Sequence, residues 1–133
     1  MFGWVRYFRN VKYMIKNIVV VSDSHCGCKL ALCPPKVKFD EGGSYEASPI
    51  QLKLWAMWRE FWDVFVPKAT RNEDYVIVHN GDIIDGIHHN STTQISQNIT
   101  DQIKIAKEVL SPLLKRKHCK GYYQIRGTEA HAG

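Results

Sequence analysis

The sequence predicts an α/β fold in which three parallel strands are joined by two helical crossovers, in the order β-α-β-α-β. Three short apolar runs predict the strands, at residues 17–21, 75–79 and 121–125. Two stretches with apolar residues at helical spacing separate these runs and predict the connecting helices. A chain of 133 residues, 44% of them hydrophobic, suits one such domain with a core of its own.

The first predicted strand, Asn17-Ile-Val-Val-Val21, is a β-branched run without polar interruption. Such a run is typical of a strand that is buried on both faces of a parallel sheet. Residues 26–47 follow it and are rich in Cys, Pro and Gly, with no helical or strand period. They predict a long loop, and loops of this length in compact domains usually cover a functional site.

The first helix is predicted to begin with Ser48 as its N-cap, Pro49 in its first turn and Gln51 closing a capping box. Pro67 is expected to end it after about Val66. Apolar residues recur at spacings of three and four and form one broad stripe: Leu54, Trp55, Trp58, Phe61, Trp62 and Phe65. Core packing is the favoured role for this stripe, and a base-stacking surface is the alternative.

The second predicted strand ends at His79 and breaks into Asn80-Gly81-Asp82. We expect His79 to be a core residue whose ring is satisfied. The second helix is predicted from one apolar face: Ile95, Ile99, Ile103, Ala106, Leu110, Leu113 and Leu114. Pro112 is expected to kink or restart it. The third strand runs into the polar segment 126–131.

The formal net charge is +5, but basic residues concentrate in two places. Residues 1–13 carry no acid and are expected to be a basic N-terminal extension, outside a domain that covers residues 14–133. Lys115, Arg116, Lys117 and Lys120 form the other cluster. Because cations complement the dipole at a helix end, a solvated helix end is favoured over phosphate binding.

The four cysteines predict reduced thiols in a cytoplasmic protein. A zinc site is the alternative, but the spacing of Cys26, Cys28 and Cys33 lacks paired C-x2-C units. The longest aliphatic run is Ile18–Val21, whereas a membrane span needs roughly 20 apolar residues. The sequence therefore predicts no membrane association.

Polar residues that follow the three predicted strands carry the candidate chemistry. Asp23 and His25 follow the first strand, Asp82 the second, and the segment 127–131 the third. Ligands bind beyond the carboxyl ends of such strands, and carboxylate with imidazole is a ligand set for divalent metals. Residues two apart in an extended chain project to one side, so Asp23 and His25 are expected to bind one ion together. Ordinary strand-end and turn residues are the alternative.

These motifs resemble those of the calcineurin-like metallophosphoesterase superfamily: Asp23-x-His25, Gly81-Asp82-x-x-Asp85, and a strand that ends in Gly-x-x-x-His. The longer strings SDSHCG, NGDIIDG and RGTEAH look more specifically like those of phage and prophage members. The resemblance implies a four-layer α/β/β/α sandwich, of which this chain corresponds to the N-terminal half. We expect the uncovered face of such a half-domain to favour self-association.

The resemblance further implies hydrolysis of phosphomonoesters or phosphodiesters by a hydroxide activated at a dinuclear site. The two divalent ions would be Mn, Fe, Zn, Ni or Mg, and the substrates include nucleic acids and nucleotides. Asp23, His25 and a bridging Asp82 would be metal ligands, with Asp85 behind them. Thr128 stands where the family has an Asn ligand. Two residues nearby would replace lost functions, Glu129 as a ligand and His131 as the acid that assists the leaving group.

Two other functions stay open at this point. One is a non-catalytic nucleic-acid-binding module that uses the basic segments, and the other is an inactive truncated remnant. The nucleic-acid module leaves the acidic groups at the strand ends without a role, and those groups would repel phosphate unless metals neutralised them. His88 and His89 are expected to be exposed loop residues, with contact to a leaving group as the alternative.

Overall fold

The computed structural model describes residues 5–8 and 14–132, which form a four-stranded sheet, a small two-stranded sheet and several helices. The strands are β1 (Val5–Phe8), β2 (Asn17–Val21), β3 (Lys36–Lys38), β4 (Ser44–Glu46), β5 (Tyr75–His79) and β6 (Cys119–Gln124). The helices are α1 (Pro49–Glu60), α2 (Val66–Ala69), α3 (Ile99–Leu114) and α4 (Glu129–Ala132), with a π-helical turn (Phe61–Phe65) between α1 and α2. None of the helices in this described part has the length and apolarity that a membrane crossing requires.

The main sheet has the strand order β1-β6-β5-β2. Strands β2, β5 and β6 are parallel to one another, with Val19 beside Ile77 and Ile77 beside Tyr122. The predicted α/β class and its three parallel strands are therefore confirmed. Each of the three apolar runs became a strand within two residues of its expected bounds.

Strand β1 is antiparallel to β6, with Val5 opposite Gln124 and Phe8 opposite Gly121. The expectation that residues 1–13 add nothing to the fold is therefore wrong for this segment. The excess of basic residues gives no sign of a strand, but Val-Arg-Tyr-Phe has the β-branched and aromatic content of one. Residues 1–4 and 9–13 lie outside the described residues.

The segment predicted as a loop, residues 26–47, contains the β3–β4 hairpin, in which Val37 lies opposite Tyr45. Lys-Val-Lys in β3 alternates exposed and buried side chains, and Val37 is fully buried. Together with Cys33 it packs on Ile105 in a core cluster separate from the one at the main sheet. A second small core therefore anchors this segment against α3.

One face of the main sheet is covered by helices, and the other is exposed at β2. Val19 and Ile77 are buried in a core cluster with Trp62 and its neighbours. Ile18 and Val20, on the opposite face of β2, are 65% and 60% exposed. Burial of β2 on both faces, as its sequence predicted, is thus not found within the described part of the chain.

Helix α1 begins as predicted, because Ser48 accepts from the backbone N–H of Gln51 and the Gln51 side chain accepts from that of Ser48. It does not end at Pro67, which lies in the first turn of α2. In the π-helical turn the N–H of Val66 donates to the carbonyl of Phe61, five residues back. That leaves the Trp62 carbonyl free, and Arg116 Nη1 donates to it at 2.9 Å.

The aromatic stripe is divided by this turn. Trp62 is buried in the core, as predicted, whereas Phe65 is 57% exposed. Trp58 and Phe61 are partly buried and pack against the same core cluster. A stripe drawn at ideal helical spacing therefore misplaces its last member, because a π-helical turn contains more residues than an α-helical one.

Helix α3 begins after its N-cap Asn98 and runs through Pro112 without a break. Its buried face differs from the predicted one: Asp101, Gln102, Ile105, Ala106, Val109 and Leu113. Ile99 and Ile103, assigned to the core from their spacing, are 36% and 42% exposed. Two polar side chains turn inward instead: Asp101 accepts from the N–H of Asp40, and Gln102 binds the backbone of Gly86 in the loop that carries the candidate site.

Candidate functional site

The carboxyl ends of β2 and β5 lead into loops that are bonded to each other. The N–H of Asp23 donates to the carbonyl of Gly81 at 3.0 Å, and the N–H of His25 donates to that of Asp82 at 3.0 Å. Gln102, from α3, holds the second loop through both the N–H and the carbonyl of Gly86. These backbone bonds, together with the Gln102 side chain, hold the two loops in place and so fix the positions of the site residues.

Three candidate residues adopt left-handed backbone conformations: Asp23 with φ 55°, His25 with φ 40° and Asp82 with φ 53°. Such values are uncommon for residues other than glycine and collect at functional sites. The expectation that Asp23 and His25 project from an extended chain is therefore wrong. Their side chains nevertheless approach each other, with Asp23 Oδ1 3.5 Å from His25 Nε2.

Asp82 is held by the segment that follows β6. Its Oδ1 accepts from the N–H of Thr128 at 2.8 Å and from the Thr128 hydroxyl at 3.3 Å. Gly127 permits this approach, because a Cβ there would lie 2.0 Å from Asp82 Oδ1 and 2.4 Å from Asp82 N. Thr128 thus positions the carboxylate of Asp82.

Asp85 is the buried centre of the site, with 4% of its surface exposed. Its Oδ1 lies 3.4 Å from His25 Nδ1, 3.5 Å from His88 Nε2 and 3.7 Å from His131 Nδ1. Its Oδ2 accepts from Gln94 Nε2 at 2.8 Å. One carboxylate therefore faces three imidazoles that come from three different segments of the chain.

The His131 ring is oriented by a backbone carbonyl. Its Nδ1 donates to the carbonyl of Asp85 at 2.6 Å, which leaves the lone pair on Nε2. Histidines that bind metals characteristically donate their other ring N–H to a carbonyl or carboxylate in this way. The rings of His25 and His88 meet His131 edge to face, with centroids 4.4 and 4.5 Å away.

Two groups of three side chains offer ligand atoms within 4.8 Å of one another. One is His25, Asp82 and His131, and the other is Asp85, His88 and His131. Each combines two imidazoles with one carboxylate, the donor set of catalytic zinc and non-haem iron sites that keep open coordination positions. The residues thus fit a divalent transition metal better than Mg²⁺, which prefers oxygen ligands.

Two residues predicted as metal ligands belong to neither group. The side chain of Asp23 contacts His25 but is 61% exposed, and the hydroxyl of Ser22 donates to it and lowers the pKa of its carboxyl. Glu129 is exposed in the first turn of α4. His88, expected to be an exposed loop residue, does lie in a loop but is partly buried and belongs to the second group. The Asp85-x-x-His88 spacing after a strand was the sequence signal for it.

His79 is a satisfied core residue, as predicted. Its Nδ1 accepts from the N–H of Gly81 at 3.2 Å, so its Nε2 carries the proton and faces Ser24 Oγ at 3.1 Å. The Ser24 hydroxyl in turn donates to the carbonyl of Ile83 at 3.0 Å. Burial lowers the pKa of His79 to about 4, so its neutral form holds these two loops at neutral pH.

A groove of about 700 Å³ extends from the site between β2 and α1. His25, Asp85 and His131 lie at its polar end. Its walls are otherwise largely apolar: Val20, Val21, Leu30, Leu32, Leu54, Met57, Trp58 and Phe61. Its volume falls within the range of small-molecule binding sites, roughly 300–1,000 Å³.

The cysteines do not take part in either metal group. Cys26 and Cys33 are fully buried, and burial raises the pKa of Cys26 to about 12 and that of Cys33 to about 11. Both are therefore protonated thiols at neutral pH in the absence of metal, and neither group of candidate ligands found among the described residues contains a cysteine. The geometry therefore gives no support to the alternative of a zinc site formed by cysteines.

No family model, curated protein or solved structure matches this chain. The resemblance to the metallophosphoesterases stays a prediction from the motifs at the strand ends.

Proposed function

We propose that this protein hydrolyses phosphate esters, using divalent transition-metal ions held at the carboxyl edge of the main sheet. The main support for this proposal is the group of candidate metal ligands formed by His25, Asp82 and His131. Its three members follow three different strands, β2, β5 and β6, and approach within ligand distance of one another. Convergence of metal-ligand side chains from distant segments is hard to explain by packing alone.

The residues of the chain would have distinct tasks. A bound divalent ion would polarise the phosphoryl group and lower the pKa of the attacking water. Asp82 supplies negative charge at a position fixed by Thr128. Asp85 lies behind His25, with its Oδ1 3.4 Å from Nδ1 of the ring, and Nε2 on the other side of the ring lies 3.5 Å from Asp23 Oδ1.

His131 has one free ring nitrogen, because its Nδ1 is bonded to the carbonyl of Asp85. Nε2 is therefore the atom that holds an ion or, when protonated, gives a proton to the leaving oxygen. The groove beside it supports a substrate larger than phosphate itself, with an apolar portion that lies along Leu54 and Trp58.

The same proposal assigns the chain to the calcineurin-like metallophosphoesterase superfamily. Support comes from the order of its three motifs, each at a strand end. The open apolar face around Ile18 and Val20 also suits a four-layer sandwich, in which a second sheet covers the first. Until it is covered, this face favours self-association.

The nucleic-acid-binding alternative has weaker support. In the basic cluster, Arg116 is bonded to Asp63 and to the carbonyl of Trp62. Lys120 donates to the carbonyl of Lys117 and lies 3.8 Å from Asp74. These two cations already have structural partners, so they are less available to bind a phosphate backbone.

Hydrolysis of an activated aryl phosphodiester, measured during a Mn²⁺ titration, tests the proposal. We expect the rate to rise with Mn²⁺ and to fall at least tenfold in Asp82→Asn, because an amide cannot replace the charge of the carboxylate. Glu73→Gln is the matched control, because Glu73 is an exposed carboxylate that precedes β5, whereas Asp82 follows its carboxyl end. Equal rates in Asp82→Asn and the wild type would contradict the proposal.

A further inference from the structure

We propose that His88 and Asp85 bind a divalent transition-metal ion at a position of their own, beside the one formed by His25 and Asp82. The sequence and its family resemblance point to Asp23, His25, Asp82 and Glu129 as ligands, not to His88. This inference rests on the metal-binding part of the proposed function, since both positions belong to one cluster and share His131.

The His88 ring has two ring nitrogens that the fold leaves without partners. Both Nδ1 and Nε2 are buried from solvent, and neither makes a hydrogen bond within the part of the chain described here. Buried polar atoms are normally hydrogen-bonded, so an exception indicates a missing partner. The 3.5 Å separation between Nε2 and Asp85 Oδ1 is too long and too poorly aligned to supply one.

A metal ion explains this geometry better than a water molecule alone. The ligand atoms of His88, Asp85 and His131 lie within 4.8 Å of one another, and a carboxylate and a lone pair on a neutral imidazole point to a cation. Two imidazoles with one carboxylate select a zinc-like, iron-like or cobalt-like dication over Mg²⁺ or Ca²⁺. The proposed occupant is such a first-row dication.

The carboxylate of Asp85 is held in a position from which it can bind an ion. Gln94 Nε2 donates to Oδ2 and fixes the carboxylate, while Oδ1 is the atom that faces the three rings. The N–H of Gly86 is bonded to Gln102, so the loop between Asp85 and His88 is anchored to α3. Ligands held by such supporting bonds lose little freedom when an ion binds.

His131 can coordinate only one ion through Nε2, because its Nδ1 is bonded to the carbonyl of Asp85. The two positions therefore compete for this ring. We expect the ion that does not bind His131 to be held more weakly, and Co²⁺ to bind in two steps of different affinity.

The test is Co²⁺ binding to the full chain, freed of metal with a chelator and then titrated. Equilibrium dialysis counts bound ions, and the visible absorption of Co²⁺ reports changes in its ligands. In His88→Ala we expect one binding step to be lost or weakened at least tenfold, while the other step is retained. His88→Gln, which keeps a polar side chain of similar reach, should show the same loss and provides a second variant if the alanine chain does not fold.

His89→Ala is the matched control, because His89 is the neighbouring imidazole and is exposed, outside both groups. It should bind Co²⁺ as the wild type does, with an unchanged spectrum. If His89→Ala loses the same step as His88→Ala, a disturbed loop explains the loss and the inference is overturned. Wild-type binding by His88→Ala and His88→Gln would overturn it as well.

Asp82→Asn separates this inference from the proposed function. We expect it to lose the step that the His88 variants retain. If Asp82→Asn abolishes all binding and the His88 variants bind normally, the metal centre stands and the His88 position is wrong. If the wild type binds no Co²⁺, both the inference and the metal-dependent function are overturned.

Discussion

The main sheet has an aspartate beside histidine at each of the two ends of its strands. The two groups differ in whether the carboxylate already has hydrogen-bonding partners. Near the start of β5, Asp74 Oδ1 lies 3.0 Å from His118 Nδ1 in a hydrogen bond, with Lys120 Nζ 3.8 Å away. Beyond its end, Asp85 Oδ1 faces three imidazole nitrogens at 3.4–3.7 Å, and none of them is hydrogen-bonded to it.

This difference indicates which of the two groups can still bind an ion. Asp74 has cationic or hydrogen-bonding partners at direct contact, as in an ordinary structural ion pair. Around Asp85 the ring nitrogens lie 3.4–3.7 Å from Oδ1, too far for ordinary hydrogen bonds, and those of His88 have no hydrogen-bond partner among the residues described. Metal–nitrogen bonds of about 2.0–2.1 Å on either side of an ion would fill such gaps.

The largest expected effect is on stability at acid pH and depends on His79, which lies beneath the carboxyl edge. Burial lowers its pKa from 6.5 to about 4, so the folded state resists a proton that the unfolded state accepts. The stabilisation is therefore complete above pH 6.5 and is lost as the pH falls toward 4, by about 3 kcal/mol. Urea unfolding at pH 7 and pH 4 measures it.

His79→Asn is the control for this pH effect, because asparagine does not titrate. It should be less stable at pH 7 and should lose about 3 kcal/mol less than the wild type on acidification. The same pH dependence in both chains would show that other groups, and not His79, make the carboxyl edge sensitive to acid.

The next effect concerns the two aspartates directly. Asp85→Asn is expected to weaken Zn²⁺ binding about hundredfold, because the amide removes charge from the side chain that contacts three candidate ligands. Asp74→Asn should leave Zn²⁺ binding unchanged. Competition with a chromogenic chelator measures both affinities. Equal weakening of Zn²⁺ binding in the two variants would contradict the claim that Asp85, and not Asp74, belongs to a metal site.

The smallest effect tests the close approach between the two segments that hold Asp82. Gly127→Ala places a Cβ against Asp82 Oδ1 and should weaken Zn²⁺ binding about tenfold by displacing the carboxylate. Gly43→Ala strains a left-handed residue in open space and should affect stability alone. Unchanged Zn²⁺ binding in Gly127→Ala would mean that the position of Asp82 is not important.

Much of the main sheet could be predicted because its strands are marked by local signals. The apolar run at β2 and the capping box at Ser48 depend on residues within a few positions of one another. The buried face of α3 could not be predicted in this way. Asp101 accepts from the N–H of Asp40, and Gln102 binds Gly86, so their burial depends on partners distant in sequence.

The candidate site shows the same limit. Its motifs identified His25, Asp82, Asp85 and His131, all of which the structure brings together. The left-handed turns at Asp23 and His25 depend on bonds to the neighbouring loop and were invisible in the sequence. The burial of His88 could not be predicted for a related reason, because it depends on contact with His131, which is distant in sequence.

The pairing of β1 with β6 has a consequence for how the chain acquires its structure. β6 occupies an inner position between β1 and β5, yet it follows both of them, and β2, in the sequence. During synthesis, β1 has no partner in this sheet until β6 has left the ribosome, and β5 keeps one unpaired edge from its own synthesis until then. Contacts so distant in sequence also slow folding. We therefore expect newly made chains to be most prone to aggregate just before β6 inserts.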